Sequence, residues 1–336
     1  MKKILITGVA GFIGFHVFRA LAGRYRVTGV DLYESVANDR MKQIRLAELG
    51  VDWKKKKAIA SVGSQSAFHY CDIRNPLQVR QLFKQKPELV IHLAAMTGVR
   101  NSMLDGFNYV HTNIVGFYNI LEAMRASNCM RILFASSSSV YGNNRKFPLT
   151  ENQKTDTPLS VYAATKKCDE LLAYSFCANT GISAAGLRLF TVYGPWGRTD
   201  MAGFNFMKNV DKGIPIKLYN RGNLKRDFTY VEDVVKIIDS ITGRMLKEKN
   251  KTGLRIFNAG GAHPVKVADF LKTIEREIGR KAIAEFALAN KDEMLVTEAD
   301  NKLLSAFIGK MKYTGIEKGI EQTARWYREN KSKLNL

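Results

Sequence analysis

An α/β fold, a doubly wound parallel sheet followed by a smaller C-terminal α/β region, is predicted by three features of the sequence. Short β-rich runs alternate with helix-length amphipathic segments over residues 1–190. Three glycines stand between the first such run and the first helix. Past about Gly194 the alternation weakens, and proline, glycine and basic residues gather in "YGPWGRTDMAGF" and "YNRGNLKRDF".

The elements follow in order. "KILITG" is a short apolar strand ending in glycine, and "FIGFHVFRALAGRY" carries apolar residues at helical spacing. "RVTGVDLY" is a second strand, followed by a polar helix around "NDRMKQIRLAELG", a basic loop "DWKKKK" and a strand "AFHYCDI". A helix "PLQVRQLFKQ", the strand "ELVIHLAA", one helix from about Ser102 to Ser127, the strand "RILFASS", a helix from near Val161 and the strand "SAAGLRLF" complete the series. Strands that alternate with helices need crossover connections, which give a parallel sheet covered on both faces. Three further helices, in "VEDVVKIIDSITGRML", "KVADFLKTIEREIG" and "GIEKGIEQTARWYREN", belong to the second region. The expected division is residues 1–190 for the first domain and 191–336 for the second, with the chain crossing between them.

The chain has 336 residues, 46% hydrophobic and 25% charged, an ordinary globular balance. A formal charge of +21 favours anionic partners, although a basic solvated surface explains it as well. Cys71, Cys129, Cys168 and Cys177 form no Cys-x-x-Cys pair, so neither a zinc site nor a disulfide framework is indicated, and reduced thiols are expected. His16, His69, His92, His111 and His263 lack metal-ligand spacing. "MKKILITG" leaves no room for a secretory leader, and no apolar run approaches the roughly 20 residues of a membrane span, so a soluble cytoplasmic protein is expected.

Gly8, Gly11 and Gly14 form Gly-x-x-Gly-x-x-Gly between strand and helix. Without side chains the backbone can turn tightly and approach a pyrophosphate, whose charge then meets the positive helix N-terminus. Asp31 ends the second strand, where a carboxylate can accept both ribose hydroxyls of an adenosine and would repel a 2′-phosphate. This is a Rossmann-type arrangement, and it predicts NAD rather than NADP. Tyr162 and Lys166 stand four apart on a predicted helix and so share a face. A phenol with an ordinary pKa of about 10 is a poor base at neutral pH, but an ammonium one turn away favours its ionised form and suits it to general acid/base work. Four serines, Ser136 to Ser139, leave the strand "RILFASS" about twenty-five residues upstream.

Together with "HLAA" at His92–Ala95, Asn113 and "SSSSVYG", these motifs resemble the extended short-chain dehydrogenase/reductase superfamily, in its nucleotide-sugar epimerase and dehydratase branch. "YGPWGRTDMA" and "RDFTYVEDVV" are similar to segments of the UDP-glucuronate 4-epimerases, and the likeness runs from about residue 2 to 330. The resemblance implies Ser137, Tyr162 and Lys166 as catalytic residues. It places NAD against Gly8, Gly11, Phe12, Ile13, Gly14, Asp31, Asp72, Ile73, Leu93, Ala94, Ala95, Asn113, Tyr162, Lys166 and Val192. It places a UDP-sugar against Arg100, Ser137, Ser138, Ser139, Thr191, Arg198, Tyr219, Arg226 and Glu293. It also implies a homodimer through two long helices, near 102–125 and 161–178, and neither a metal nor a membrane.

Sugar dehydratases of this branch place acidic residues after the catalytic hydroxyl, because loss of water needs an extra acid and base. Ser138 and Ser139 stand there instead, which fits oxidation and re-reduction at C4, an epimerisation. Arg198 offers a two-pronged donor for a uronate carboxylate. Departures are Thr199, Thr97 and Asn101, and the run Asn290, Lys291, Asp292, Glu293, where glutamate replaces an expected ribose-binding aspartate. A UDP-hexose or UDP-N-acetylhexosamine 4-epimerase is the alternative reading. An NAD-binding regulator drawn to nucleic acid would not need Ser137, Tyr162 and Lys166 together.

Overall fold

The computed structural model of the chain describes residues 1–55, 60–62, 65–249, 251–287 and 294–334. Its contacts divide the chain into two compact units. The first comprises Met1–Gly142, Lys154–Arg188 and Val235–Phe257; the second comprises Asn143–Gln153, Leu189–Val234 and Asn258–Leu336. The expected change after residue 190 lies two residues past the break after Arg188, and the chain also crosses between the units at four further places.

The first unit is built on strands β1 (Lys3–Thr7), β2 (Arg26–Asp31), β3 (Ala60–Val62), β4 (Ser66–Tyr70), β5 (Leu89–His92), β6 (Arg131–Ser137) and β7 (Ser183–Leu189). An eighth strand, Gly253–Ala259, lies beside β7 at the sheet edge, and the order runs Gly253–Ala259, β7, β6, β5, β1, β2, β4, β3. Pairs β1–β2, β1–β5, β2–β4 and β5–β6 are parallel, while β3 runs antiparallel to β4. The continuous burial of Ile4, Leu5, Ile6, Leu89, Val90 and Ile91 is what a sheet covered on both faces demands.

Helix α1 (Phe12–Leu21) buries Phe15, Phe18 and Leu21, each worth about 1.5–3 kcal/mol when removed from water. Gly29 of β2 makes this possible, since a Cβ there would come within 2.7 Å of the Phe18 ring. The single helix expected from Ser102 to Ser127 is instead broken into Val99–Leu104, Gly106–Tyr109, a π-helical turn Val110–Val115 and Gly116–Ser127. Asp105, at φ −133° and ψ 45°, interrupts it, and the wide turn seats Asn113 inward.

The second unit holds a three-stranded sheet, in the order Pro264–Lys266, Lys225–Tyr230, Thr191–Tyr193, and a parallel pair of Ala284–Ala287 with Ile216–Tyr219. Its core is aromatic. Phe228 stacks on Phe270 at 4.0 Å, Tyr193 meets both edge-on, and Trp196 and Phe204 pack against Trp326.

Candidate active site

In the first unit, β1 ends at Thr7 and the chain turns through Gly8, whose φ of +79° disfavours any side chain. A Cβ on Gly8 would stand 2.8 Å from the Ala94 nitrogen, and one on Gly14 would collide with the Gly8 carbonyl. The glycines therefore bring the loop against the exit of β5 and let α1 start hard against it. Gly11 has no side chain with which to cap that helix. The N–H groups of Phe12, Ile13 and Gly14 in its first turn are thus available to an anion. Thr7 fixes the neighbouring segment, since its hydroxyl accepts from the Leu93 and Ala94 nitrogens at 3.2 and 3.1 Å. Leu93, Ala94 and Ala95 stay half-buried along this edge.

Asp31 is buried, and its carboxylate accepts from the Ala10 nitrogen at 2.8 Å, the Leu32 nitrogen at 2.9 Å and Lys42 at 3.3 Å. Arg45 donates to the Ala10 carbonyl at 2.9 Å. A carboxylate offers about four acceptor positions, so one direction of Asp31 remains for a ribose hydroxyl. Lys42 and Arg45 were not singled out from the sequence; their spacing from Asp31 is set by the helix Arg40–Glu48 and carries no local signature. The cradle closed to side chains, the open helix start and the terminal carboxylate fit a dinucleotide.

Three residues expected at the cofactor also have protein partners of their own. Asn113 accepts from the Met96 nitrogen at 2.8 Å and donates to the Met96 carbonyl and to Thr165. It braces the segment after β5 against the helix Val161–Thr180, and its amide donors are spent on protein groups. The Asp72 carboxylate is held in a fork by Arg74, at 2.9 and 2.8 Å, and neighbouring Ile73 is buried against Gly116.

At the exit of β6 the serines separate by strand alternation. Ser136 points inward and donates to Glu170 at 2.7 Å. Ser137 caps the short turn Ser138–Tyr141, its Oγ accepting from the Ser139 nitrogen at 3.2 Å, and Ser138 and Ser139 are half-buried. The helix Val161–Thr180 begins at Ser160, whose hydroxyl accepts from the Ala163 nitrogen, and it carries half-buried Tyr162 and fully buried Lys166. The ring of Tyr162 meets Tyr109 edge-on at 6.3 Å.

Behind these residues lies a charged cluster that the motifs did not disclose. Lys166 donates to Asp169 at 3.0 Å, with the two side chains 2% and 1% exposed. Glu170 accepts a two-pronged bond from Arg188 of β7, at 2.9 and 2.8 Å. Burial disfavours the Arg188 charge, but Glu170 outweighs it and holds the guanidinium above its ordinary range. Burial pushes the Asp169 carboxyl up to about 6, against the pull of Lys166. His92, bonded through Nδ1 to Thr7 at 2.9 Å, is lowered to about 3 by burial and by Lys166, so it stays neutral. An arginine in the buried strand "SAAGLRL" was the available hint, since such a charge requires a carboxylate.

The remaining predicted residues are placed as follows. Arg100 is exposed on the helix Val99–Leu104 of the first unit. In the second unit Thr191 opens its strand opposite Phe228, and Val192 is buried opposite Thr229. Arg226 stands two residues before Phe228 and donates to the Lys225 carbonyl, while half-buried Tyr219 ends its own strand. Arg198 follows Trp196, a residue at φ +61°, and forms a fork with Asp200 at 2.9 and 2.6 Å. Glu293 lies outside the described residues, as do Asn290, Lys291 and Asp292. Among the described residues no group of acidic, histidine or cysteine side chains could hold a metal, and all four cysteines are free.

Residues 4–260 match the family model "NAD dependent epimerase/dehydratase family". The chain is 39% identical to UDP-glucuronate 4-epimerase 4 of Arabidopsis thaliana over 96% of this chain and 75% of the relative. It is 35% identical to a probable UDP-glucuronate 4-epimerase of Rhizobium meliloti over 98% and 97%. In fold it is similar to the UDP-glucuronic acid 4-epimerase of Bacillus cereus solved with UDP-glucuronic acid and NAD, with a TM-score of 0.85, 29% identity and coverage of 97% and 99%.

Proposed function

Because the chain belongs to the NAD dependent epimerase/dehydratase family, we propose that it is an NAD-dependent 4-epimerase of a UDP-uronic acid, interconverting UDP-glucuronate and UDP-galacturonate. The observation that carries this reading is the trio Ser137, Tyr162 and Lys166 with serines, and no carboxylate, at positions 138 and 139. Relatives bearing that activity in name align along nearly the whole chain.

Gly8, Gly11, the first turn of α1, Asp31 and the Leu93–Ala95 edge would hold the dinucleotide. When bound, NAD supplies a reversible hydride acceptor for the sugar C4. Tyr162 removes the proton from the C4 hydroxyl and returns it after the 4-keto sugar has turned over, while the Ser137 hydroxyl holds the same oxygen. Lys166, four residues on along the same helix, is assigned as the cation beside that phenol. Ser138 and Ser139 are neutral and small, so they can bond either face of the sugar and supply no acid for elimination. Arg198 is assigned to the uronate carboxylate. Its fork already grips a carboxylate, that of Asp200, and a substrate carboxylate would take the same geometry. Held in that plane, the carboxylate of a 4-keto uronate is kept from decarboxylation.

The protein is assigned a homodimer built on the helices Gly116–Ser127 and Val161–Thr180 with the broken stretch before them. Leu104 and Phe107 are 88% and 76% exposed there, and Leu171 and Tyr174 are 57% and 66% exposed, an apolar face that a second copy would cover. Four free thiols suit a reducing cytoplasm.

Proton NMR of the purified protein with UDP-glucuronate and no added NAD tests the reading. Appearance of UDP-galacturonate, abolished in Tyr162→Phe, is expected. Conversion of UDP-glucose or UDP-N-acetylglucosamine alone would transfer the assignment to a neutral-sugar epimerase.

A further inference from the structure

We propose that Asp169 is a positioning residue for the Tyr162–Lys166 pair: its carboxylate anchors the Lys166 ammonium and partly neutralises it, so that Tyr162 feels less than a full positive charge. The inference rests on the reading of Tyr162 as the proton-transfer group.

The geometry is specific. Asp169 lies three residues after Lys166 on one helix, accepts its Nζ through Oδ2 at 3.0 Å, and is sealed from solvent with it. The other oxygen, Oδ1, is buried and has no hydrogen-bond partner among the described residues. Asp169 is therefore held in place by Lys166, and Lys166 by Asp169.

The other charged groups around the pair are already compensated. Glu170 is bound by Arg188 from β7, by Ser136 from β6 and by Lys167 at 3.8 Å on its own helix. His92 faces the pair from β5 and is neutral over the working range. Asn113, from the π-helical turn, contributes only a neutral amide, to Thr165. Among the described residues Asp169 is thus the carboxylate that sets how much of the Lys166 charge reaches Tyr162. In a medium of low dielectric constant that fraction matters, because an adjacent opposite charge moves an ionisation by about 1–3 pH units. Protonation of Asp169, which burial favours, releases the full ammonium charge.

The experiment titrates the phenolate absorbance of Tyr162 in the NAD-loaded protein, isolated as the difference between each variant and the same variant carrying Tyr162→Phe. In Asp169→Asn the phenolate is expected to appear about one pH unit lower than in the wild type, with the acid limb of kcat moving by the same amount and KM for UDP-glucuronate unchanged. Asp169→Glu, which restores the carboxylate, should bring the titration back toward the wild-type position. A loss of thermal stability in Asp169→Asn with an unmoved phenolate would reduce Asp169 to a structural ion pair and overturn the proposal.

Should Asp169→Asn not fold, wild-type protein with 13C-labelled lysine decides the matter. The Lys166 Cε resonance, assigned through Lys166→Arg, must respond to the ionisation of Asp169, whose carboxyl burial pushes up, and a resonance without such an inflection at any pH at which the protein is folded overturns the proposal. The phenolate readout needs no turnover. A shifted phenolate in a protein inert toward UDP-glucuronate would support the role of Asp169 while sinking the substrate reading.

Discussion

The Lys166 and Arg198 sites hold the same chemical pairing, a cation gripped by a carboxylate, in opposite circumstances. In the first unit Lys166 with Asp169 and Arg188 with Glu170 are sealed between helix and sheet, each side chain at most 4% exposed. In the second unit Arg198 and Asp200 lie on a loop, with side chains 31% and 55% exposed. Removing one partner of a buried pair strands a charge that water cannot reach, whereas an exposed pair exchanges readily with solvent or a ligand. The buried pairs therefore fix geometry, and the exposed one can exchange its carboxylate at little cost.

The contrast can be broken by substitution. Tyr162→Phe, which leaves both pairings intact, should lower kcat by about 10²- to 10⁴-fold with an unchanged urea midpoint; an unchanged rate would remove Tyr162 from the reaction. Glu170→Gln should cost about 3–5 kcal/mol of unfolding free energy in denaturant titrations, because buried Arg188 loses the carboxylate that balances its charge. His92 sharpens the picture through pH. Its folded value is depressed, so the unfolded chain binds the extra proton first, and the stability that neutral His92 contributes is lost as pH falls from about 6.5 toward 3. Against His92→Gln, the wild type should lose about 1.4 kcal/mol per pH unit across that window, and parallel stability curves would contradict this.

On the exposed side, Arg198→Ala should lower kcat/KM for UDP-glucuronate by about 10- to 100-fold, the scale of ~1.5–3 kcal/mol for a hydrogen bond to a charged group. It should leave a neutral UDP-hexose unaffected. Asp200→Asn should be the mildest change, below about 1 kcal/mol in stability, as exposed ion pairs are. A loss comparable to that of Glu170→Gln would show that the Arg198 loop is as rigid as the sheet.

Much of the fold was legible because periodicity reports burial. β1, α1, β6 and the helix Val161–Thr180 follow the alternation read from the sequence. Two features were not. The helix after β5 had an apolar pattern throughout, and nothing local announced that Asp105 leaves helical geometry. The strand Gly253–Ala259 followed a helix assigned to the second region, and its partner β7 lies far away in sequence. Within the candidate site, Ser137, Tyr162, Lys166 and the glycines were visible as spaced motifs. Glu170–Arg188 and Thr7–His92 were not, since they join residues 18 and 85 positions apart and serve the site from behind.

The return of Val235–Phe257 to the first unit bears on how such a protein can be cut and rejoined. Arg131 bonds the Met245 and Glu248 carbonyls, Arg24 pairs with Asp239, and Arg255 reaches Ser183. A fragment ending at residue 190 would keep Ser137, Tyr162 and Lys166 yet expose β7 as a raw edge, take Arg255 away from Ser183, and remove the groups that Arg24 and Arg131 bond in the returning segment. Exchange of specificity between relatives by shuffling whole C-terminal halves is therefore obstructed. Grafting has to proceed through the separate pieces Asn143–Gln153, Leu189–Val234 and Asn258–Leu336, which leave the returning segment in place.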